Sequence, residues 1–406
     1  MSQILINNIN LINPNIDILN NCNILIKDNI IKEISKTKIN TSDNVKIIEG
    51  NDNYILPGFI DMHNHIMANG FDKVDYMKNP LAMHFYNALD NMRLTLESGV
   101  TTIRDCGLAD YGVKIASNNK LFPSPKLQIS VTALSITGGH YDHYYNSGFD
   151  MELLYPGMPK AICDGVEGVL KKTREIIRAR ADFIKVMATG GIISDNDSPD
   201  VPQFNKKELK TILFEAKNKG LKVSAHAHGL SGINNAIAVG MDSIEHGTFI
   251  DKSSAIKMKE KDIDLVPTLL VIDTLNKCSS LEKEKKLQVK ELAKVHKENI
   301  SLAYDVGVNI LLGTDSGVIS HGNNLKELEL LTNVGLDENE AISSGTIGAA
   351  NFMNLADKIG SIKNGKIADM ILVNDNPLDN IKVLTNPDNI NLILQDGDIV
   401  KNLDVY

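Results

Sequence analysis

The sequence predicts an α/β protein: a parallel (β/α)8 TIM-like barrel carrying a small β-sandwich that both chain termini build. Three observations lead there. Apolar runs of strand length alternate with amphipathic helical stretches through the middle of the chain, the rhythm of repeated βα units. Short β-rich runs between Asn/Asp turns occupy both ends. Ionisable residues stop the central runs one after another, as active-site groups do at strand ends in such barrels.

The N-terminal runs are Gln3–Ile6, Asn23–Ile26, Ile30–Ile34 and Lys46–Glu49; the C-terminal runs are Ala368–Val373, Asn391–Leu394 and Asp398–Val400. Neither set alone can bury a core. Residues 1–57 and 357–406 are therefore expected to combine into one discontinuous sandwich, leaving residues 58–356 for the barrel. Eight barrel strands are predicted at Phe59–Met62, Thr101–Arg104, Leu127–Leu134, Phe183–Ala188, Lys222–Ala225, Ser243–Glu245, Asp264–Leu269 and Val308–Gly313. Helices are predicted between them, among others at Asp164–Arg180, Lys206–Lys219, Gly229–Val239 and Leu281–Asp305. The charged stretch Lys283–Lys294 reads as the solvated face of the last of these.

Composition narrows the class. With 406 residues, 43% hydrophobic and 23% charged, the chain has the profile of a soluble globular protein. A net charge of −9 argues against a nucleic-acid partner. No apolar run reaches 18 residues, so no membrane span is expected. The start, Met1-Ser2-Gln3-Ile4-Leu5-Ile6, lacks a basic n-region and reads as a first strand. Cys22, Cys106, Cys163 and Cys278 form no CxxC pair, which suggests reduced thiols and a cytoplasmic protein.

His63 and His65, two apart in a strand, reach the same side and can hold one ion together while leaving positions open for chemistry. Alone, such a pair is a weak signal, because alternation makes it common. The rest of the set strengthens it. His226, His246 and Asp315 each end an apolar run, and Gly229, Gly247 and Gly317 follow within three residues. Ligands spread from residue 63 to residue 315 describe a preformed metal cup, whereas a structural zinc knot crowds its ligands, mostly Cys, into a short segment.

Lys185 stands inside the apolar run Phe183–Ala188. As an ammonium it has no lone pair and repels a metal, so the plain reading is a buried lysine paired to a carboxylate such as Asp105. His226 and His228 lie two apart on one face and can exchange roles. His140 follows Gly138-Gly139, a setting suited to a substrate-binding loop. His321 lies on the loop after the last predicted strand, also facing substrate on this reading. Tyr141, Tyr144 and Tyr145 either line a pocket or form an exposed aromatic loop. His84 and His296 fall in helical stretches and are expected to have surface or packing roles.

The stretches Pro57–His63, Ser135–His140, Met187–Gly191, Ala225–Gly229, Ile244–Gly247 and Gly360–Val373 resemble the binuclear amidohydrolase superfamily, in its imidazolonepropionase-related prolidase and carboxypeptidase branch. The resemblance extends over essentially the whole chain. It implies two divalent metal ions, zinc by expectation, although His and carboxylate ligands also accept Mn, Co or Fe. His63, His65 and Asp315 would hold one ion, and His226 and His246 the other. A carboxylated Lys185 and a hydroxide would bridge them. Two dications about 3.5–4 Å apart lower the pKa of a shared water and polarise a carbonyl. Asp315, ligand and general base, would take the water's proton and pass it to the departing amine. The branch pattern makes His226 the ligand and leaves His228, with His140, for substrate. The chain departs from that pattern at Tyr141-Asp142-His143, where branch members often carry a second small residue; this bears on pocket shape.

The implied activity is hydrolysis of the C–N amide bond of dipeptides or N-acyl amino acids, with proline-containing dipeptides leading. The expected partner is a small-molecule or dipeptide substrate, and the chain is expected to form a homo-oligomer. Two other readings compete. Hydrolysis of a cyclic amide such as imidazolonepropionate is disfavoured by Lys185, since that branch usually works with one metal and lacks the bridging lysine. A non-catalytic barrel scaffold has no need of Asp315 at an open metal site.

Overall fold

Both ends of the chain meet in one sheet. The computed structural model describes residues 3–403 apart from 17, 42–43, 71–77, 145–146, 151, 153, 193–196 and 279–282. The first strands are β1 (Gln3–Leu11), β2 (Leu19–Lys27), β3 (Ile30–Ser35), β4 (Lys46–Glu49) and β5 (Tyr54–Pro57). The central ones are β6 (Phe59–Asn64), β7 (Val100–Asp105), β8 (Lys126–Ile129), β9 (Ala133–Leu134), β10 (Phe183–Met187), β11 (Lys222–Ala227), β12 (Ser243–His246) and β13 (Asp264–Val266). The last are β14 (Met370–Val373), β15 (Ile390–Gln395) and β16 (Asp398–Asn402).

The terminal strands form an eight-stranded sheet ordered β16-β15-β14-β5-β1-β2-β3, with β4 also pairing β1. Strand β5, which sequence reading missed, joins the two ends. It runs parallel to β1 at Asn10↔Tyr54 and antiparallel to β14 from Met370↔Pro57 to Val373↔Tyr54. Residues two apart, such as Ile4 and Ile6, Ile24 and Ile26, and Met370 and Leu372, share one face of this sheet and pack into a common core with Ile55 and Leu394. Deleting residues 366–406 removes three of the eight strands and bares β5. The truncated protein is therefore expected to be insoluble. A soluble, active truncation would show that the N-terminal strands hold their core without the C-terminal ones.

The central strands are parallel and lie in two sheets, β6-β7-β8 and β13-β12-β11-β10-β9, with a helix between successive strands except β8 and β9. The fold is α/β. Helices Gly165–Arg178, Lys206–Lys217, Leu230–Val239 and Lys283–Val306 fall where the apolar periodicity put them. Among the described residues no helix is long and apolar enough to cross a membrane.

Three expected strands depart from prediction. The run Leu127–Leu134 breaks into β8 and β9, because Val131 between them adopts φ +67°, a conformation costly for a β-branched residue. The run Asp264–Leu269 stops at Val266; Thr268 turns to φ +50° and an unpredicted helix, Leu269–Lys277, begins. Val308–Gly313 is not a regular strand but makes one parallel bridge, Ile310 to Leu265. Its backbone still bonds to both sides: Leu311 N–H donates to Leu265 O, and Met62 N–H donates to Leu312 O.

Candidate active site

The carboxyl ends of the central strands bring His63, His65, Lys185, His226, His246 and Asp315 together. His63 Nε2 lies 3.5 Å and His65 Nε2 3.3 Å from Asp315 Oδ1. The His246 ring centroid stands 5.0 Å from that of His63 and 4.6 Å from that of His226. Two sets of donor atoms, His63–His246–Asp315 and His226–His228–His246, each fall within 4.8 Å of one another. Left-handed backbone helps to assemble them. Alternation alone would turn Glu245 and His246 to opposite faces. With φ +69° at His246, its ring stands beside His63, the residue to which Glu245 also bonds. Asp315 has φ +60°. Such conformations cost of order 1–3 kcal/mol at a non-glycine residue and persist where the surroundings over-determine them.

Electrostatics keeps most of these groups in the form that binds cations; His65 is the exception, for burial alone would lower it but its bond to Asp315 and the charges of Asp315 and Asp105 raise it. Burial, joined by the positive charge of Lys185, lowers His63 to about 4. Burial and neighbouring histidines push His226 and His246 well below the ordinary imidazole range. Burial alone would raise Asp315, but His63 and His65 outweigh it and bring its carboxyl down to about 2. Neutral imidazoles beside a carboxylate are a cation-binding donor set.

Lys185 is the anomaly. It is 1% exposed, and its Nζ has no hydrogen-bond partner among the described residues. Asp105, the partner that the plain reading offered, is engaged elsewhere: its side chain accepts the backbone N–H groups of Ile66, Gly107 and Ala109. An ammonium in that position is attracted by the Glu245 and Asp315 carboxylates but makes no hydrogen bond to either. The site thus fits a group that converts Nζ into an anion and supplies cations for it to bind.

Several supporting residues went unread in the sequence. Arg104, fully buried, donates from Nη2 to Glu245 Oε1 at 2.7 Å, from Nη1 to Ser224 Oγ at 2.6 Å and from Nε to the Met62 carbonyl at 2.6 Å. Glu245 Oε2 lies 2.7 Å from His63 Nδ1. The carboxylate accepts, so His63 carries its proton on Nδ1 and turns the Nε2 lone pair towards Asp315 and the cup. Asp61 accepts from Thr314 Oγ1 at 2.6 Å, Asn324 Nδ2 at 2.7 Å and the His63 N–H at 3.0 Å, tying the His63 turn to the segment that carries Asp315. The available signal was a charge inside an apolar strand, Arg104 or Glu245, which must find a partner when buried.

The remaining candidates divide. His140 is half-buried, stacks on His226 with centroids 4.5 Å apart, and has Nδ1 3.3 Å from Asp197 Oδ2. It can approach only because residue 191 is glycine: a Cβ there would stand 1.9 Å from His140 Cε1. His228 is buried behind His246, its ring stacked at 4.5 Å. His321 is buried, with Nε2 3.2 Å from the Ala68 carbonyl. Tyr141 is half-buried and Tyr144 exposed, while Tyr145 lies outside the described residues. His84 and His296 are both buried, so a surface role is excluded for them; His296 bonds to Thr248 and to Pro267.

Residues 54–400 match the sequence model of the amidohydrolase family. The chain belongs to that family. It is a hydrolase acting on C–N bonds, in a family that is typically metal-dependent. The protein is 34% identical to ochratoxinase of Aspergillus niger over 369 residues, covering 86% of this chain and 75% of that one. Among solved structures it is similar to a prolidase complexed with N-methylphosphonate-L-proline, at 29% identity and a TM-score of 0.91, over 99% of this chain and 100% of the other. It is also similar to a Xaa-Pro dipeptidase with bound methionine, at 32% identity and a TM-score of 0.89, over 98% and 99% of the two chains.

Proposed function

We propose that this amidohydrolase is a binuclear metal-dependent dipeptidase acting on Xaa-Pro and related N-acylated amino acids. The observation that carries the reading is Lys185 Nζ, buried without a hydrogen-bond partner among the described residues, beside the neutral imidazoles of His63, His226 and His246. Its likeness to a prolidase holding a proline phosphonate supports the substrate class. In this reading the two parallel sheets and the 308–313 segment make one closed (β/α)8 barrel, supported by the bonds of residues 311 and 312 to both neighbours. Residues 1–57 and 357–406 are then its accessory β-domain.

His63, His65 and Asp315 would hold one ion, His226 and His246 the other, with carboxylated Lys185 between; zinc suits the set. When bound, two such ions supply an acidified water and a polarised carbonyl. The chain's own residues do the rest. Asp315, its carboxyl depressed and directed by His63 and His65, accepts the attacking water's proton at Oδ1 and returns it to the leaving nitrogen. An amine departs neutral; an amide anion would be far too basic to leave.

His140 sits at the rim and offers a donor to the substrate's carboxylate, and hydrogen bonds to such a charged group are each worth about 1.5–3 kcal/mol. His140→Ala is expected to lower kcat/KM for dipeptides by about one to two orders of magnitude with metal content intact. Amidating the substrate's carboxylate should remove most of that difference. Equal losses on free and amidated substrates would count against carboxylate anchoring. The substrate class itself is tested by offering a dipeptide library, each position varied in turn, to metal-loaded protein. Turnover of a cyclic amide with none of the library would favour the imidazolonepropionase-like alternative.

A further inference from the structure

His228, Thr248 and His296 are all buried and joined in series by hydrogen bonds. His296 Nε2 lies 3.0 Å from the Pro267 carbonyl oxygen, and His296 Nδ1 lies 2.9 Å from Thr248 Oγ1. Thr248 Oγ1 in turn lies 2.8 Å from His228 Nδ1. A carbonyl can only accept, so His296 carries a proton on Nε2. Burial lowers His296 to about 4, so the ring is neutral at pH 7 and its Nδ1 bears a lone pair. That lone pair takes the Thr248 hydroxyl proton. The hydroxyl has no second proton to give, so its oxygen accepts from His228 Nδ1.

The chain folds so as to clamp this sequence of bonds. His296 and Asn299 lie three apart on the helix Lys283–Val306 and face the same turn. Asn299 Nδ2 donates to the Thr248 carbonyl at 2.9 Å, and the Phe249 N–H donates to the His228 carbonyl at 3.0 Å. The His228 ring packs against those of His226 and His246, and a nitrogen of His228 comes within 4.8 Å of their donor atoms.

We propose that Thr248 and His296 are positioning residues that hold His228 with its proton on Nδ1 and its Nε2 lone pair facing the cup. In that form His228 engages a cation or an N–H or O–H donor of the substrate, and it cannot donate to a carboxylate. This replaces the expectation that His228 shares carboxylate anchoring with His140.

The test uses full-length, zinc-loaded protein with 15N-labelled histidine and long-range 1H–15N correlation. The His228 resonance, identified as the one lost in His228→Gln, is expected to show Nδ1 protonated. Protonation at Nε2 in the wild type overturns the proposal, whatever reaction the enzyme catalyses. The kinetic arm alone rests on the dipeptidase reading. Thr248→Val is expected to lower kcat/KM about 10- to 100-fold, while Thr248→Ser, which restores the hydroxyl, keeps most of the activity. His296→Gln keeps a donor for Pro267 and an acceptor for Thr248 and should stay active; His296→Met should not. If Ser and Val at position 248 behave alike in folded protein, the directional role is wrong. Loss of one zinc in Thr248→Val makes the cation the lone pair's partner, and retention of both makes it a substrate donor.

Discussion

On the proposed binuclear reading, Lys185→Ala is expected to lower kcat by about 10³-fold or more, because it would remove the anchor of both ions and forfeit several kcal/mol of transition-state stabilisation. Nζ sits in the interior of β10 with 1% exposure, beside His63, His226 and His246, and an ammonium there would repel any cation those rings bind. Loss of one proton frees the amine, and its reaction with carbon dioxide forms an N–C bond and releases a second proton, turning the repelling cation into a carbamate with two oxygen donors. In Lys185→Ala the space of the lost side chain should admit short carboxylic acids such as acetate or propionate, with partial return of activity. Metal analysis provides the second readout: two ions per wild-type chain and fewer in the variant. One ion or none in fully active wild-type protein would defeat the binuclear reading, and undiminished activity in Lys185→Ala would remove the role of the lysine altogether.

Arg104→Met should destabilise the fold by about 3–5 kcal/mol, since it strands the carboxylate of Glu245 in the interior without its guanidinium. Both side chains are essentially inaccessible, and Arg104 also holds Ser224 Oγ and the Met62 carbonyl. The loss should appear in chemical denaturation as a lowered midpoint. In Arg104→Met/Glu245→Leu, which removes the stranded charge, much of the stability should return while activity stays low, because His63 Nδ1 has then lost the acceptor that orients it. An Arg104→Met protein as stable as wild type would mean that the pair does not compensate its own burial. The pH dependence follows the same pair. Burial raises the Glu245 carboxyl, but Arg104, Lys185 and the His63 bond outweigh it and set it well below its ordinary 4.5. A depressed carboxyl contributes stability in full above the unfolded-state value. The contribution therefore fades as pH falls below about 4.5 towards the lower folded-state value. Loss of this stability on raising the pH from neutrality would contradict the assignment.

Much of the cluster was legible because an ionisable residue that stops an apolar run leaves a local trace. His63, His226, His246 and Asp315 each stop an apolar run, and hydrophobic patterning reports strand ends independently of what the strands later contact. The supporting residues leave a fainter trace. Glu245 and Arg104 are visible only as charges within apolar strands, and nothing local says that they find each other across 141 positions of chain. Thr248 and His296 are fainter still: a threonine in a turn and a histidine on a helix are ordinary until a shared hydrogen bond joins them. Irregular backbone was unreadable for a related reason. The left-handed turns at Val131 and Thr268 run against residue preference, so propensity extends strands through positions where packing ends them.

Alternating hydrophobicity, the two sets of terminal strands and the residues that punctuate the central runs determined by themselves the α/β class, the joining of both ends of the chain and the ionisable residues that meet at the strand ends. These are properties of short windows, and short-range periodicity suffices to specify them. Tertiary structure decided the rest: β5 as the strand that welds the two termini, Arg104 as the counter-ion of Glu245, and the series of hydrogen bonds that joins Pro267, His296, Thr248 and His228. A proton's place on an imidazole depends on which atom faces it, and that atom comes from a distant part of the chain. Only the folded arrangement can therefore say whether a histidine in the cup gives a hydrogen bond or receives one.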